Sequence, residues 1–167
     1  LATVEALELE LNHDEVVLVG SAALVLYGAE LSDTNPLTDR TSPRPGDVDF
    51  ASTASYMERL YAQGTPSGLK ATVKPNVNSQ QTVLRIETPD SALLPADIIT
   101  RYRDGYDMDR FDRKFRDYMR DNSRPIEGTS ARVLTPDRLE HELKQNASLT
   151  DPKARSDLAA FRRARQK

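Results

Sequence analysis

Val16-Val17-Leu18-Val19-Gly20-Ser21-Ala22-Ala23-Leu24 is an apolar, β-branched run that breaks at Gly-Ser and continues in small, helix-forming residues. The run predicts a buried strand over 15–19, flanked by Asp14 and Gly20. Ser21 fits a helix N-cap, and 22–27 fits a helix stopped by Gly28. Two later stretches, Gly46-Asp47-Val48-Asp49-Phe50 and Pro95-Ala96-Asp97-Ile98-Ile99, set carboxylates inside short strand-forming segments. Strands are accordingly predicted over 47–51 and 95–100.

Outward from this centre, Ala6, Leu7 and Leu11 at helical spacing predict a short amphipathic helix over 4–11. The Pro, Ser, Thr and Asp of 30–46 predict a long loop. A helix is expected over 53–63, capped by Ser52 or Thr53 and followed by Gly64. Alternation in 69–74 and 81–88 predicts a strand pair. Met108, Phe111, Phe115 and Met119 predict a helix over 104–120, and 131–134 a strand. Thr135 should cap a helix over 136–145, and a last helix is expected from 152 to 165. These elements imply a mixed-sheet α/β (α+β) core over 1–134 and a C-terminal helical segment over 135–167 packed on it.

The 167 residues suit one domain with a small appendage. Hydrophobic residues make up 38% and charged residues 29%, which excludes a disordered or fibrous chain. With no cysteine there is no disulfide, thiolate nucleophile or Cys-based metal site. No apolar run is long enough to span a bilayer, so no membrane partner and a cytoplasmic location are expected. The chain begins at Leu1 rather than Met, so trimming or an incomplete N-terminus is expected, and a removed leader stays open. A net charge of −3 argues against a strongly basic nucleic-acid binder, although the end from Arg155 to Lys167 is locally basic.

Successive side chains of a strand point to opposite faces, so Asp47 and Asp49 share one face while Val48 and Phe50 point to the core. Two adjacent carboxylates repel, and one or two Mg²⁺ ions convert that cost into binding. Asp97 is the expected third member, because an unpartnered Asp between Ala96 and Ile98 would be expensive on an apolar strand. Such a set suits in-line phosphoryl or nucleotidyl transfer. Gly20 would let the backbone approach a phosphate, with Ser21 and the first N–H groups of its helix as donors. Asp-x-Asp alone is common, as is Gly-Ser before a helix. Their order, with a further Asp on a later strand, carries the inference.

On these residues the sequence resembles the minimal nucleotidyltransferases of the DNA polymerase β-like superfamily, in particular the lincosamide nucleotidyltransferases and the abortive-infection-type nucleotidyltransferase toxins. The resemblance rests on Val19-Gly20-Ser21-Ala22-Ala23-Leu24 with Tyr27-Gly28, on Asp47-Val48-Asp49 and on Asp97, and covers most of the chain. It implies a Mg²⁺-dependent enzyme that moves a nucleoside monophosphate from an NTP to a hydroxyl of RNA, protein or a small molecule such as an antibiotic. Asp47, Asp49 and Asp97 would be metal ligands and catalytic groups, with Asp97 also helping to deprotonate the acceptor, and Gly20, Ser21 and Arg44 would hold the nucleotide. Leu134-Thr135-Pro136-Asp137-Arg138-Leu139, Lys144, and Lys153 with Asp157 look like the family's helical segment, which implies that Lys144 or Lys153 reaches the triphosphate. A toxin reading further implies an antitoxin protein as partner. The long insertion before Arg44-Pro45-Gly46-Asp47 departs from the family pattern and bears on acceptor choice. The alternative is a catalytically silent nucleotide- or partner-binding module with the same fold.

Two other features are read as structural. The basic-aromatic stretch from Tyr102 to Arg120 carries a core-type stripe, and its aspartates cancel much of its positive charge. His13 and His141 belong to no ligand motif and are read as surface or core residues.

Overall fold

The opening apolar run forms a strand, Val16–Val19, in a computed structural model that describes residues 1–34, 37–75, 80–148 and 151–167. In chain order the elements are α1 (Ala2–Ala6), β1 (Val16–Val19), α2 (Gly20–Leu26), β2 (Leu31–Thr34), β3 (Thr41–Arg44), β4 (Val48–Ser52) and α3 (Ala54–Gln63). They continue with β5 (Ala71–Val73), β6 (Thr82–Ile86), β7 (Ala96–Thr100), α4 (Met108–Asn122), β8 (Ser123–Pro125), β9 (Arg132–Leu134), α5 (Pro136–Ser148) and α6 (Pro152–Arg165). The protein is a mixed α/β fold. Among the described residues, no helix is long and apolar enough to cross a membrane.

Seven strands form one mixed sheet in the order β5-β6-β7-β4-β1-β9-β8. Strand β4 lies between β1, antiparallel to it, and β7, parallel to it. Its alternation decides the two faces. Val48, Phe50 and Ser52 are buried on one side, and Asp49 and Ala51 are half-buried on the other. Leu18, Leu84 and Ile98 continue this buried side, where Leu24, Met57 and Leu60 join the same core. Burying side chains of this kind contributes roughly 1.5–3 kcal/mol each. Leu139, Ala160 and Phe161 belong to that core as well, so α5 and α6 share it with the sheet. The Tyr27 hydroxyl donates to the Leu134 carbonyl at 2.9 Å, tying the end of α2 to β9.

Several local expectations are corrected. Ser21 does not cap α2: the helix begins at Gly20, Val19 stands in the cap position and no side chain caps it. Gly20 at φ +67° turns the strand directly into the helix, which leaves Ser21 one residue too late. The first helix ends at Ala6 rather than residue 11. The expected loop over 30–46 contains the hairpin β2–β3 and residues 35–36, which lie outside the described ones. This hairpin is a separate two-stranded sheet whose exposed Ser and Asp positions carry no apolar alternation for sequence to reveal. Edge strand β8, with Pro125 at its end, was not expected. Helix α4 starts at Met108, capped by Asp107, four residues later than predicted. Thr53 caps α3 by accepting from the Tyr56 N–H. Buried Asp112 of α4 accepts from the N–H groups of Ala54 and Ser55 at 2.6 and 3.2 Å and closes the same helix end.

Candidate metal centre

Register brings the three predicted carboxylates together. Asp49 pairs across β4–β7 with Asp97 and across β1–β4 with Val19, so parallel in-register pairing sets Asp49 and Asp97 side by side on one face. Asp47, just before β4, shares that parity. Ligand oxygens of Asp47, Asp49 and Asp97 all lie within 4.8 Å of one another. A Cβ on Gly20 would stand 3.0 Å from Asp49 Oδ2, so the strand–helix turn is packed directly against this carboxylate.

Two cations that the sequence reading did not place here complete the cluster. Lys74, the residue after β5, donates from Nζ to Asp97 Oδ2 at 2.7 Å and to Asp47 Oδ2 at 3.3 Å. Arg85, which faces Asp97 in the β6–β7 register, donates from Nε to Asp97 Oδ1 at 2.9 Å. Its Nη2 donates to Asp47 Oδ2 at 2.7 Å and to Asp97 Oδ2 at 3.2 Å. The Asp49 carboxylate receives neither cation, and among the described residues its side chain has no hydrogen bond or ion pair.

The electrostatics follow this asymmetry. Burial, then the charges of Asp47 and Asp97, push Asp49 up to about 6, partly offset by Lys74 and Lys153. Burial acts in the same direction on Asp97, but the hydrogen bonds and charges of Arg85 and Lys74 outweigh it and hold that carboxyl below its ordinary range. The Asp97 hydrogen bond raises Lys74. Three carboxylates facing two cations leave one net negative charge. Carboxylate oxygens converging from three chain positions are a hard donor set, which fits Mg²⁺ or another oxygen-seeking divalent ion.

The other predicted site residues divide. The Arg44 side chain is 7% exposed at the end of β3, where it is paired with Asp157 of α6 and, from Nε, with Asp33 at 3.0 Å. Its Nη1 reaches Ser21 Oγ at 3.4 Å. Arg44 thus links hairpin, α2 and α6, and its guanidinium is committed to carboxylates. Lys153, one helical turn before Asp157, lies on α6 with its charge felt at Asp49. Lys144 stands apart from the cluster: it is exposed and pairs with Glu140 on its own helix at 3.6 Å. No known family model and no curated protein sequence matches the chain.

Beside the carboxylates, on the same sheet face, lies a cavity of about 420 Å³. Val19, Ala51 and Ile99 contribute its floor, and Phe111, Phe115 and Tyr118 of α4 one wall. Ala51 and Ile99 each follow a carboxylate by two strand positions, a step of about 7 Å. At the α5 side Tyr118 donates to Glu142 at 2.6 Å, and Arg138 Nε donates to Glu142 at 3.1 Å and to the Tyr118 oxygen at 3.2 Å. Burial, then the hydrogen bond and charge of Glu142, push the Tyr118 hydroxyl up to about 12, so it remains a donor at neutral pH.

Of the groups absent from the sequence reading, Arg85 had a visible signal, being polar at an alternate position of an apolar strand. Lys74 and Asp33 had none.

Proposed function

We propose that this protein is a Mg²⁺-dependent nucleotidyltransferase that moves a nucleoside monophosphate from an NTP to a hydroxyl-bearing acceptor. The observation that supports it most is the in-register meeting of Asp49 and Asp97, joined by Asp47, against the Gly20 turn. Asp47, Asp49 and Asp97 would hold the metal. Bound there, a divalent ion supplies charge neutralisation for the phosphates and a lower pKa for the attacking hydroxyl.

The remaining work belongs to the chain. Lys153 offers a positive charge from α6 to the triphosphate, and the Arg44–Asp157 pair fixes that helix relative to α2. The slot over Val19, Ala51 and Ile99 admits a planar or apolar group within one or two strand residues of the carboxylates. The acceptor oxygen forms a bond to the α-phosphorus as the bond to pyrophosphate breaks. The hydroxyl proton goes to a carboxylate of the cluster, and Asp49, without a competing cation, suits that role better than Asp97, whose oxygens are taken by Arg85 and Lys74.

One observation favours the silent-module alternative: Lys74 and Arg85 already pair with Asp47 and Asp97 as a structural ion network would. Incubation with Mg²⁺ and each α-labelled NTP, in the presence of total RNA, cell extract or hydroxyl-bearing small molecules, separates the two. Label in one acceptor pool, lost in Asp47→Asn/Asp49→Asn, supports the transferase. Absence of both transfer and Mg²⁺-dependent NTP binding supports the silent module.

A further inference from the structure

The oxygens of the acidic cluster are unevenly occupied. A carboxylate oxygen has about two lone-pair sites. Asp97 Oδ2 accepts from Lys74 at 2.7 Å and Arg85 at 3.2 Å, and Asp47 Oδ2 from Lys74 at 3.3 Å and Arg85 at 2.7 Å. Both oxygens are thereby filled. Lys74 Nζ touches the two together, so the ammonium stands in for a cation bridging Asp47 and Asp97. A divalent ion that uses those two oxygens needs one lone pair freed on each, and loss of Lys74 frees both at once.

The two cations are not equally held. Arg85 lies within β6, opposite Asp97 in register, and grips it through Nε and Nη2 in a planar fork that also reaches Asp47. Lys74 lies just beyond β5, the edge strand of the sheet, and reaches the carboxylates through a single ammonium on a flexible stem. Its ammonium is a compact, readily hydrated charge that can exchange its partners for water.

We propose that Lys74 is a built-in exchangeable cation: it bridges Asp47 and Asp97 when no divalent ion is bound and swings out when one binds, while Arg85 stays and keeps Asp97 in place. Exchanging one positive charge for two brings the cluster from one net negative charge to neutrality. Lys74 thereby limits the affinity of the site for metal while sparing the carboxylates their mutual repulsion. This rests on the metal-binding part of the proposed function and not on nucleotidyl transfer.

The test measures Mn²⁺ affinity by electron paramagnetic resonance of free Mn²⁺, with the full chain and no nucleotide. If Lys74 occupies its bridge at least nine-tenths of the time, Lys74→Met tightens binding about tenfold or more, because the competent fraction rises toward one. Lys74→Arg keeps the charge and does not tighten it. Lys144→Met removes an exposed charge that pairs with Glu140 on its own helix, and changes affinity by less than about threefold, as a screened surface charge should. Melting in EDTA falls for Lys74→Met and is recovered by Mn²⁺. In the unmodified protein, reductive methylation read by mass spectrometry labels Lys74 faster with Mn²⁺ than with EDTA. This last measurement does not depend on any variant folding.

Unchanged or weaker Mn²⁺ binding by Lys74→Met overturns the exchange, as does equal tightening by Lys144→Met, or Lys74 labelling indifferent to Mn²⁺. The broader reading fails differently. Mn²⁺ binding that survives Asp47→Asn/Asp49→Asn unchanged places the ion elsewhere and removes both inferences, whereas metal binding without nucleotidyl transfer removes only the proposed reaction.

Discussion

Gly20→Ala tests whether the tight turn between β1 and α2 shapes the metal centre. At φ +67° a residue with a Cβ costs about 1–2 kcal/mol of backbone strain. Its Cβ would also lie 3.0 Å from Asp49 Oδ2 and 3.6 Å from Asp49 Cβ, so this side chain must move by a few tenths of an ångström. Gly28 supplies the control. It has φ +96° with nothing within 4 Å of an added Cβ, so alanine there brings strain without crowding. Both variants should lose about 1–2 kcal/mol, a fall in Tm of about 2–8 °C for a chain of this size. Forcing Asp49 off its rotamer costs about 0.5–1.5 kcal/mol, so Gly20→Ala alone should weaken Mn²⁺ binding, by up to about tenfold. Circular-dichroism melts and free-Mn²⁺ titrations read the two effects separately. Wild-type affinity in Gly20→Ala, or equal weakening in Gly28→Ala, would refute the close-approach argument.

Three other perturbations reach different parts of the molecule. Arg44→Met leaves the buried Asp157 carboxylate unpaired and should cost about 3–5 kcal/mol in urea unfolding, much of it recovered in Arg44→Met/Asp157→Leu; a loss below about 1 kcal/mol would contradict a buried pair. Burial lowers the pKa of His13, against the opposing charge of Glu8, so the unfolded chain takes up that proton more readily than the folded one. Its contribution to stability is complete above about 6.5 and is lost as pH falls from there toward the folded value, so His13→Gln should flatten the slope of stability against pH between about 7 and 5; an unchanged slope would assign it to other groups. Lys144→Ala breaks only an exposed pair with Glu140 and should change stability by less than about 0.5 kcal/mol and leave NTP binding intact, as checked by melting and titration.

How much of this was legible in the sequence depended on the range of the interaction involved. Asp47, Asp49 and Asp97 were found because strand parity is local: a carboxylate set in an apolar strand segment names both the face and the chemistry. Ser21 misled for an equally local reason. Its hydroxyl is a good cap, but the left-handed conformation of Gly20 starts the helix one residue earlier, and a positive φ is not written in the residue type alone. The hairpin β2–β3 was missed because a strand pair with mostly exposed side chains has no hydrophobic face to betray it. Lys74 and Arg85 belong to another category. Both lie on segments whose strand character was expected, yet their role depends on β6 lying beside β7 in the register that opposes Arg85 to Asp97. Strand order is a property of the whole sheet, so the counter-charge of an acidic cluster is hidden until neighbours are known. The physical rule that would have narrowed the search is charge balance. A carboxylate as deeply buried as Asp97 must recruit a cation, and a neighbouring strand of matching parity is where one should be sought. Arg85 satisfies that requirement from within the sheet, which frees Lys74, just past the end of the edge strand, to act as the movable member of the pair.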